Sequence, residues 1–154
     1  MKLVKANDTH LTELMGWFED EAQLVMWSGP GFRYPYDLVT FKQDLKLTSL
    51  PSFSLLSPQG ALLAFGQYYL RENRCHLGRL VVNPAHRGQG IAATLIANLA
   101  ARGKKELKVN SCSLFVFSDN ISAIGAYQKL GFVKTQYPTD MPLAGCIYMV
   151  SDLG

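Results

Sequence analysis

Residues 82–92 read Val82-Asn83-Pro84-Ala85-His86-Arg87-Gly88-Gln89-Gly90-Ile91-Ala92 and lead straight into an amphipathic stretch. This is a pattern suited to cradling an anion. The first amides of a helix have no partner inside it, and the helix dipole is positive at that end. Glycines let the backbone approach a ligand with no Cβ in the way. Arg87 adds a full charge and a fork of donors for phosphate oxygens, and small Ala92 and Ala93 keep bulk out of the first turn. A second group stands about thirty residues further on. Asn120, Ala123 and Tyr127 fall at i, i+3 and i+7 of a helical stretch and so share one face, and Gly131-Phe132 closes it. A tyrosine hydroxyl is neutral at pH 7 and able to donate a proton. The bland alternative is a core-facing tyrosine with a capping asparagine.

Taken alone, the glycine loop has competing readings. A nucleotide-triphosphate P-loop requires Gly-Lys-Ser/Thr at its end, which is missing here. A dinucleotide fingerprint is formally present as Gly88-x-Gly90-x-x-Ala93, but Pro84 separates it from the preceding strand. The acid it needs, Glu106, lies before the next strand begins. A glycine turn that merely starts a helix is the third reading. Together and in this order, however, the two clusters resemble the signature of the GNAT superfamily of N-acetyltransferases. The pattern Arg/Gln-x-x-Gly-x-Gly/Ala is met by Arg87-Gly88-Gln89-Gly90-Ile91-Ala92. The pattern Asn-x-x-Ala-x-x-x-Tyr-x-x-x-Gly-Phe is met by Asn120, Ala123, Tyr127, Gly131 and Phe132.

The resemblance implies transfer of acetyl from acetyl-CoA to a primary amine of a small molecule or peptide, directly in a ternary complex and without a metal. By analogy, the amides of Gly88, Gln89, Gly90, Ile91 and Ala92 and the Arg87 side chain hold the CoA pyrophosphate. Leu80, Val81 and Val82 pair with pantetheine as if it were an added strand. Asn120, with Ala123 on its face, receives the pantetheine arm, and Tyr127 protonates the departing thiolate. Such a hydrogen bond strengthens as charge develops on sulfur, which is differential transition-state binding. Many relatives carry a glutamate two positions before the Leu-Val-Val segment, and here that position is Gly78. His76, two residues earlier on the same face, is the candidate base, directly or through water; its competing reading is a satisfied strand histidine. Glu72 sits in a turn, and a covalent route through Cys75 or Cys112 lacks an activating partner. The alternative function is a non-catalytic acyl-CoA-binding regulatory module, against which the presence of Tyr127 weighs. A nicotinamide oxidoreductase is the third class.

These residues must be positioned by an α/β fold. Residues 2–6 read as a strand, and Asp8 caps a helix with Leu11, Leu14, Met15 and Phe18 as its stripe. The pattern breaks at Ser28-Gly29-Pro30-Gly31, and Asp37 caps a second helix carrying Leu38, Phe41 and Leu45. Strands are expected at Phe53–Leu56, Ala61–Leu70 and Cys75–Val82, the first two joined by a turn at Ser57-Pro58-Gln59-Gly60. A helix over about Gly90–Lys105, with Ile91, Leu95 and Leu99 as its stripe, precedes an apolar strand, Ser113–Phe117. Asp119–Leu130 reads as a helix closed by Gly131, and Phe132–Tyr137 and Gly145–Val150 as terminal strands. The expectation is one domain, 1–154, with a single mixed, mostly antiparallel twisted sheet flanked by helices, as in the GNAT acyl-CoA N-acyltransferase fold. The acceptor is expected along Trp27–Tyr36, four aromatics with glycine and proline; Arg33 is set to greet a carboxylate, unless the loop simply packs on the core.

Composition bounds the rest. The chain has 154 residues, 48% of them hydrophobic, and a net charge of +3, too small to indicate nucleic-acid binding by charge alone. Cys75, Cys112 and Cys146 are far apart in sequence with no CxxC, so each is expected to be a small buried hydrophobe rather than a zinc or redox ligand. The start, Met1-Lys2-Leu3-Val4-Lys5, lacks the apolar core of a signal peptide, and the run from Ile91 to Ala101 is too short to span a bilayer. The expectation is a cytoplasmic protein without membrane or nucleic-acid partners; homodimers are common in the resembled family.

Overall fold

The N-terminal helices are set by their caps. In the computed structural model, which describes residues 1–152, β1 (Lys2–Lys5) is followed by α1 (Asp8–Met15), α2 (Glu21–Ser28) and α3 (Leu38–Asp44). Asn7, not Asp8, caps α1: its backbone is extended and its side chain accepts from the His10 amide at 3.0 Å, His10 completing a capping box. Asp8 is the first helical residue, placed with its charge at the positive end of the dipole. Asp37 caps α3 as expected, with Thr40 completing a second box. The α2 helix, capped by Asp20, falls in a stretch where the sequence predicts no element. Only Leu24 and Ser28 of α2 are buried, so there is no apolar stripe to betray it.

The chain then builds β2 (Ser52–Leu56), β3 (Leu62–Arg71) and β4 (Arg74–Val82). The Gly60 amide donates to the Ser57 carbonyl at 2.9 Å, closing the expected turn. Between β3 and β4, Glu72 and Asn73 both take positive φ (49° and 61°), the mark of a two-residue hairpin turn. Next come α4 (Ile91–Leu107), β5 (Cys112–Phe117), α5 (Ile121–Lys129), β6 (Val133–Thr135) and β7 (Cys146–Ser151). The strands form one seven-stranded sheet in the order β1-β2-β3-β4-β5-β7-β6. β4 and β5 run parallel, α4 supplying the crossover that such a pair needs, whereas β1/β2, β2/β3, β5/β7 and β6/β7 are antiparallel. β6 is shorter than the expected 132–137: Phe132 is buried ahead of it, and Gln136 and Tyr137 leave the ladder.

The residues fall into two compact units. The first comprises Met1–Gln67 and Arg79–Leu95. Its core is Leu11, Leu14, Leu24, Phe41, Leu45 and Phe65, all fully buried, with Trp17, Phe18, Trp27, Phe32 and Val81 packed around them. The second comprises Tyr68–Gly78 and the chain from Ile96. There Leu99, Leu114, Phe132, Tyr148 and Met149 are buried, and Gly103 of α4 presses so close to Cys75 and Tyr68 that a Cβ would lie 2.4 Å from the Cys75 sulfur. Cys75 and Cys112 are fully buried, as expected, but they are not independent: they face each other in register across β4/β5. Their shared thiol hydrogen bond and burial push the Cys75 thiol upward.

Candidate active site

In the first unit, the C-terminal half of β4 carries a kink that the sequence did not announce. Arg79 has φ of +49°, a left-handed conformation that costs a non-glycine residue about 1–2 kcal/mol. Neighbours hold it there. The Trp27 indole donates to the Arg79 carbonyl at 2.8 Å, Arg79 Nη1 donates to Gln67 Oε1 at 2.9 Å, and the guanidinium lies 5.1 Å over the Phe32 ring. Gln67 is itself fixed, its amide donating to the Leu45 carbonyl (2.8 Å) and Ser52 Oγ (2.9 Å). Such a residue inside a strand interrupts the two-residue alternation and re-aims the residues after it. Here those residues are Leu80, Val81 and Val82, all half-buried.

Beyond them Asn83 ties the loop down: its amide bonds the Leu63 carbonyl (2.8 Å), its side chain donates to the Leu62 carbonyl (3.0 Å) and accepts from the Ala85 amide (3.0 Å). A short 3-10 turn, Pro84–His86, delivers the exposed residues Arg87, Gly88, Gln89 and Gly90. Gly88 and Gly90 have φ of +78° and +73°, and a Cβ on either would meet nothing within 4 Å. Conformation rather than crowding therefore demands these glycines, and the space around them is open. Every other α-helix starts on a capping side chain, from Asn7, Asp20, Asp37 or Asn120. The α4 helix starts after Gly90, which has no side chain to offer, and the Gly90 carbonyl accepts from the Thr94 amide.

In the second unit, the β4/β5 ladder is two pairs long, Cys75↔Cys112 and His76↔Ser113. Leu77 and Gly78 continue β4 without a registered β5 partner among the described residues. His76 is 2% exposed, its Nδ1 2.8 Å from Ser113 Oγ and its ring 4.5 Å from that of Phe115 and 5.3 Å from that of Tyr69. Burial, helped by the Arg71 charge, depresses its imidazole to about 3, so at neutral pH it is uncharged and weakly basic. Asn120 is the N-cap of α5 rather than a residue within it, its Oδ1 3.3 Å from the Ala123 amide, which leaves its Nδ2 to donate elsewhere. Gly131, with φ of +92°, comes directly after the Leu130 cap. Tyr127 is half-buried, edge-on to Phe132 at 6.1 Å, and burial raises its phenol above the ordinary value.

The aromatic loop in the first unit packs on the core. Trp27 stacks on Phe18 at 4.7 Å and on Phe41 at 5.9 Å, and the Tyr36 hydroxyl donates to the Met15 carbonyl. Arg33, expected to await a carboxylate, already has one. Its Nη2 and Nε meet Asp44 at 2.9 and 3.2 Å, its amide meets Asp44 Oδ2 at 2.9 Å, and Nη2 also reaches Gln43. That bonding holds the Asp44 carboxyl below its usual range. Arg79, Gln67 and Asn83 are the residues sequence reasoning missed, because each acts through partners 12–52 positions away that no local pattern connects.

Residues 11–132 match the Acetyltransferase (GNAT) family, and the chain belongs to that family. A 70-residue stretch is 39% identical to human N-acetyltransferase 8B; the match takes in 43% of this chain and only 29% of that protein. Two solved structures share the fold. Ribosomal-protein-alanine N-acetyltransferase from Brucella melitensis superimposes with a TM-score of 0.73 at 20% identity, covering 99% of this chain and 100% of that one. Spermidine N-acetyltransferase from Vibrio cholerae, solved with CoA and spermine, gives 0.74 at 16% identity, covering 99% and 95%. No helix among the described residues is long and apolar enough to cross a membrane.

Proposed function

We propose that the chain is an acetyl-CoA-dependent N-acetyltransferase that acylates a primary amine by direct transfer, working in the cytoplasm as one catalytic domain. The observation that carries this reading is the open glycine turn at the start of α4, where Gly88 and Gly90 hold positive φ with free space around them. A helix start with a glycine at the cap position and Arg87 beside it suits a pyrophosphate. In this reading the amides of residues 88–92 and Arg87 bind that group, and Leu80–Val82 receive the pantetheine arm alongside Asn120 and Ala123. The amide near Leu80, turned by the left-handed Arg79, takes the charge that develops on the thioester oxygen.

Tyr127 supplies the proton to the leaving sulfur, and its raised pKa keeps it protonated well above neutral pH. His76 enters as a neutral group that orients a water in the path of the acceptor's proton. Direct proton transfer from an ammonium near pKa 10 to an imidazole near 3 would be uphill by roughly 9 kcal/mol.

Thermal shifts with acetyl-CoA, CoA, NADH and NADPH, followed by an amine screen for thiol release, test the proposal. At about a hundred times Kd, a ligand adds roughly 2.7 kcal/mol, several degrees at this size. Stabilisation by the CoA species with amine-dependent thiol release is expected, and Tyr127→Phe should lower kcat roughly ten- to a thousand-fold with acetyl-CoA affinity intact. Stabilisation by CoA without thiol release for any amine would favour a binding module. Stabilisation by a nicotinamide cofactor would overturn both readings.

A further inference from the structure

The second unit contains two guanidiniums that end on phenols rather than carboxylates. Tyr69 and Arg71 are two apart on β3 and share a face, as do Arg74 and His76 on β4. Arg71 Nη1 donates to the Tyr137 hydroxyl at 3.1 Å, and Arg74 Nη1 reaches the Tyr148 hydroxyl at 3.4 Å. The two tyrosines touch edge-on at 5.0 Å, so the two cations gather over one pair of rings. The Arg71 guanidinium also lies 5.4 Å over Tyr69 and 5.2 Å over Phe115, which fixes its plane.

Among the described residues neither guanidinium is paired with a carboxylate. The ion pairs Arg33–Asp44 and Lys42–Asp8 both lie in the first unit. The Nε atoms of Arg71 and Arg74 are shielded from solvent and have no hydrogen-bond partner among the described residues. Withdrawing guanidinium groups from water without a counter-ion is costly. The neighbouring imidazole feels the uncompensated charge, since Arg71 helps keep His76 neutral. Arg71, Arg74, Tyr69, Phe115 and Tyr137 are each only half-buried, so the group remains within reach of a solute.

We propose that this face of the second unit recognises a carboxylate, Arg71 and Arg74 receiving the acid group of the molecule whose amine is acetylated, while the half-exposed rings of Tyr69, Phe115 and Tyr137 cover an apolar portion of it. A planar guanidinium fork matches a carboxylate bidentately. A polycationic amine would meet like charge here instead. The assignment of the bound acid as acceptor rests on the acetyltransferase reading; the carboxylate site itself does not.

The test uses the full chain with benzoate, its uncharged counterpart benzamide, and CoA as separate probes, read by calorimetry and by NMR of the arginine Nε–H signals. Benzoate should bind and benzamide should not. Arg71→Gln and Arg74→Gln should each weaken benzoate binding about tenfold, the loss of one charge-assisted hydrogen bond, with Arg71→Lys falling between the unsubstituted protein and Arg71→Gln, and the CoA response unchanged. In the unsubstituted protein, benzoate should shift the Arg71 and Arg74 Nε–H signals, a readout independent of how the variants fold. Equal binding of benzoate and benzamide, undiminished benzoate binding in both Gln variants, or Nε–H signals that ignore benzoate would overturn the site. Loss of the CoA response in the unsubstituted protein would instead count against the acetyltransferase reading.

Discussion

His76 makes the stability of this protein sensitive to mild acid, and the size of the effect is set by its surroundings. The imidazole is 2% exposed, bonded to Ser113 and flanked by Tyr69 and Phe115, and its pKa falls from 6.5 to about 3. Above pH 6.5 the group is neutral whether the chain is folded or not, and it contributes no pH dependence. As pH falls below 6.5, the unfolded chain binds a proton at His76 that the folded chain refuses until the pH nears 3. The unfolded state then holds more protons, so stability declines with falling pH, by about 1.4 kcal/mol per unit once the unfolded group is fully charged. Between pH 7.5 and pH 5 the expected loss from this one residue is about 2 kcal/mol. Urea unfolding of the parent and of His76→Gln across that range measures it, because subtraction cancels what the two proteins share. The variant should start less stable at pH 7.5, having lost ring packing, and then show a shallower decline. Parallel curves, or an NMR titration of the His76 ring with a midpoint near 6.5, would refute the reasoning and return His76 to candidacy as an ordinary base.

Gly103→Ala should destabilise by about 1 kcal/mol, because about 2 kcal/mol of overpacking against Cys75 and Tyr68 exceeds a helix-propensity gain near 1. In a Cys75→Ala background the cost should vanish or reverse, and chemical denaturation of the four variants checks the cycle. Gly90→Val should weaken acetyl-CoA binding by roughly ten-fold or more and lower Tm by a few degrees, since a β-branched residue at φ of +73° costs about 1–3 kcal/mol; calorimetry with acetyl-CoA decides it. Arg33→Ala and Asp44→Ala should lower Tm by similar small amounts, the double variant no more than either, with acceptor KM unaltered. A selective rise in acceptor KM for Arg33→Ala would show that the arginine reaches past Asp44.

Short stretches of residues carry those features whose physical cause is local. The cap at Asp37, the stripe Ile91, Leu95 and Leu99, and the turn glycines at 88, 90 and 131 are written in neighbouring residues, because helix periodicity and the steric exclusion of positive φ act over a few positions. The family patterns are legible for the same reason. The α2 helix has no such signature because its apolar residues, Leu24 to Trp27, run consecutively instead of forming a stripe, and adjacent Asn7 and Asp8 are both capping types that only backbone angles separate.

Tertiary structure decided the rest. The left-handed Arg79 exists only because Trp27, Phe32 and Gln67 arrive from other elements to hold it. Arg33 is committed to Asp44 by the packing of a loop on a helix, whereas Arg71 and Arg74 are left facing phenols by the register that sets Phe115 opposite Tyr148. His76 and the Cys75–Cys112 pair acquire their character from burial and strand alignment, which depend on contacts 37 residues apart. Charge and basicity are properties of surroundings as much as of residue type, and those surroundings are assembled only when the strands pair.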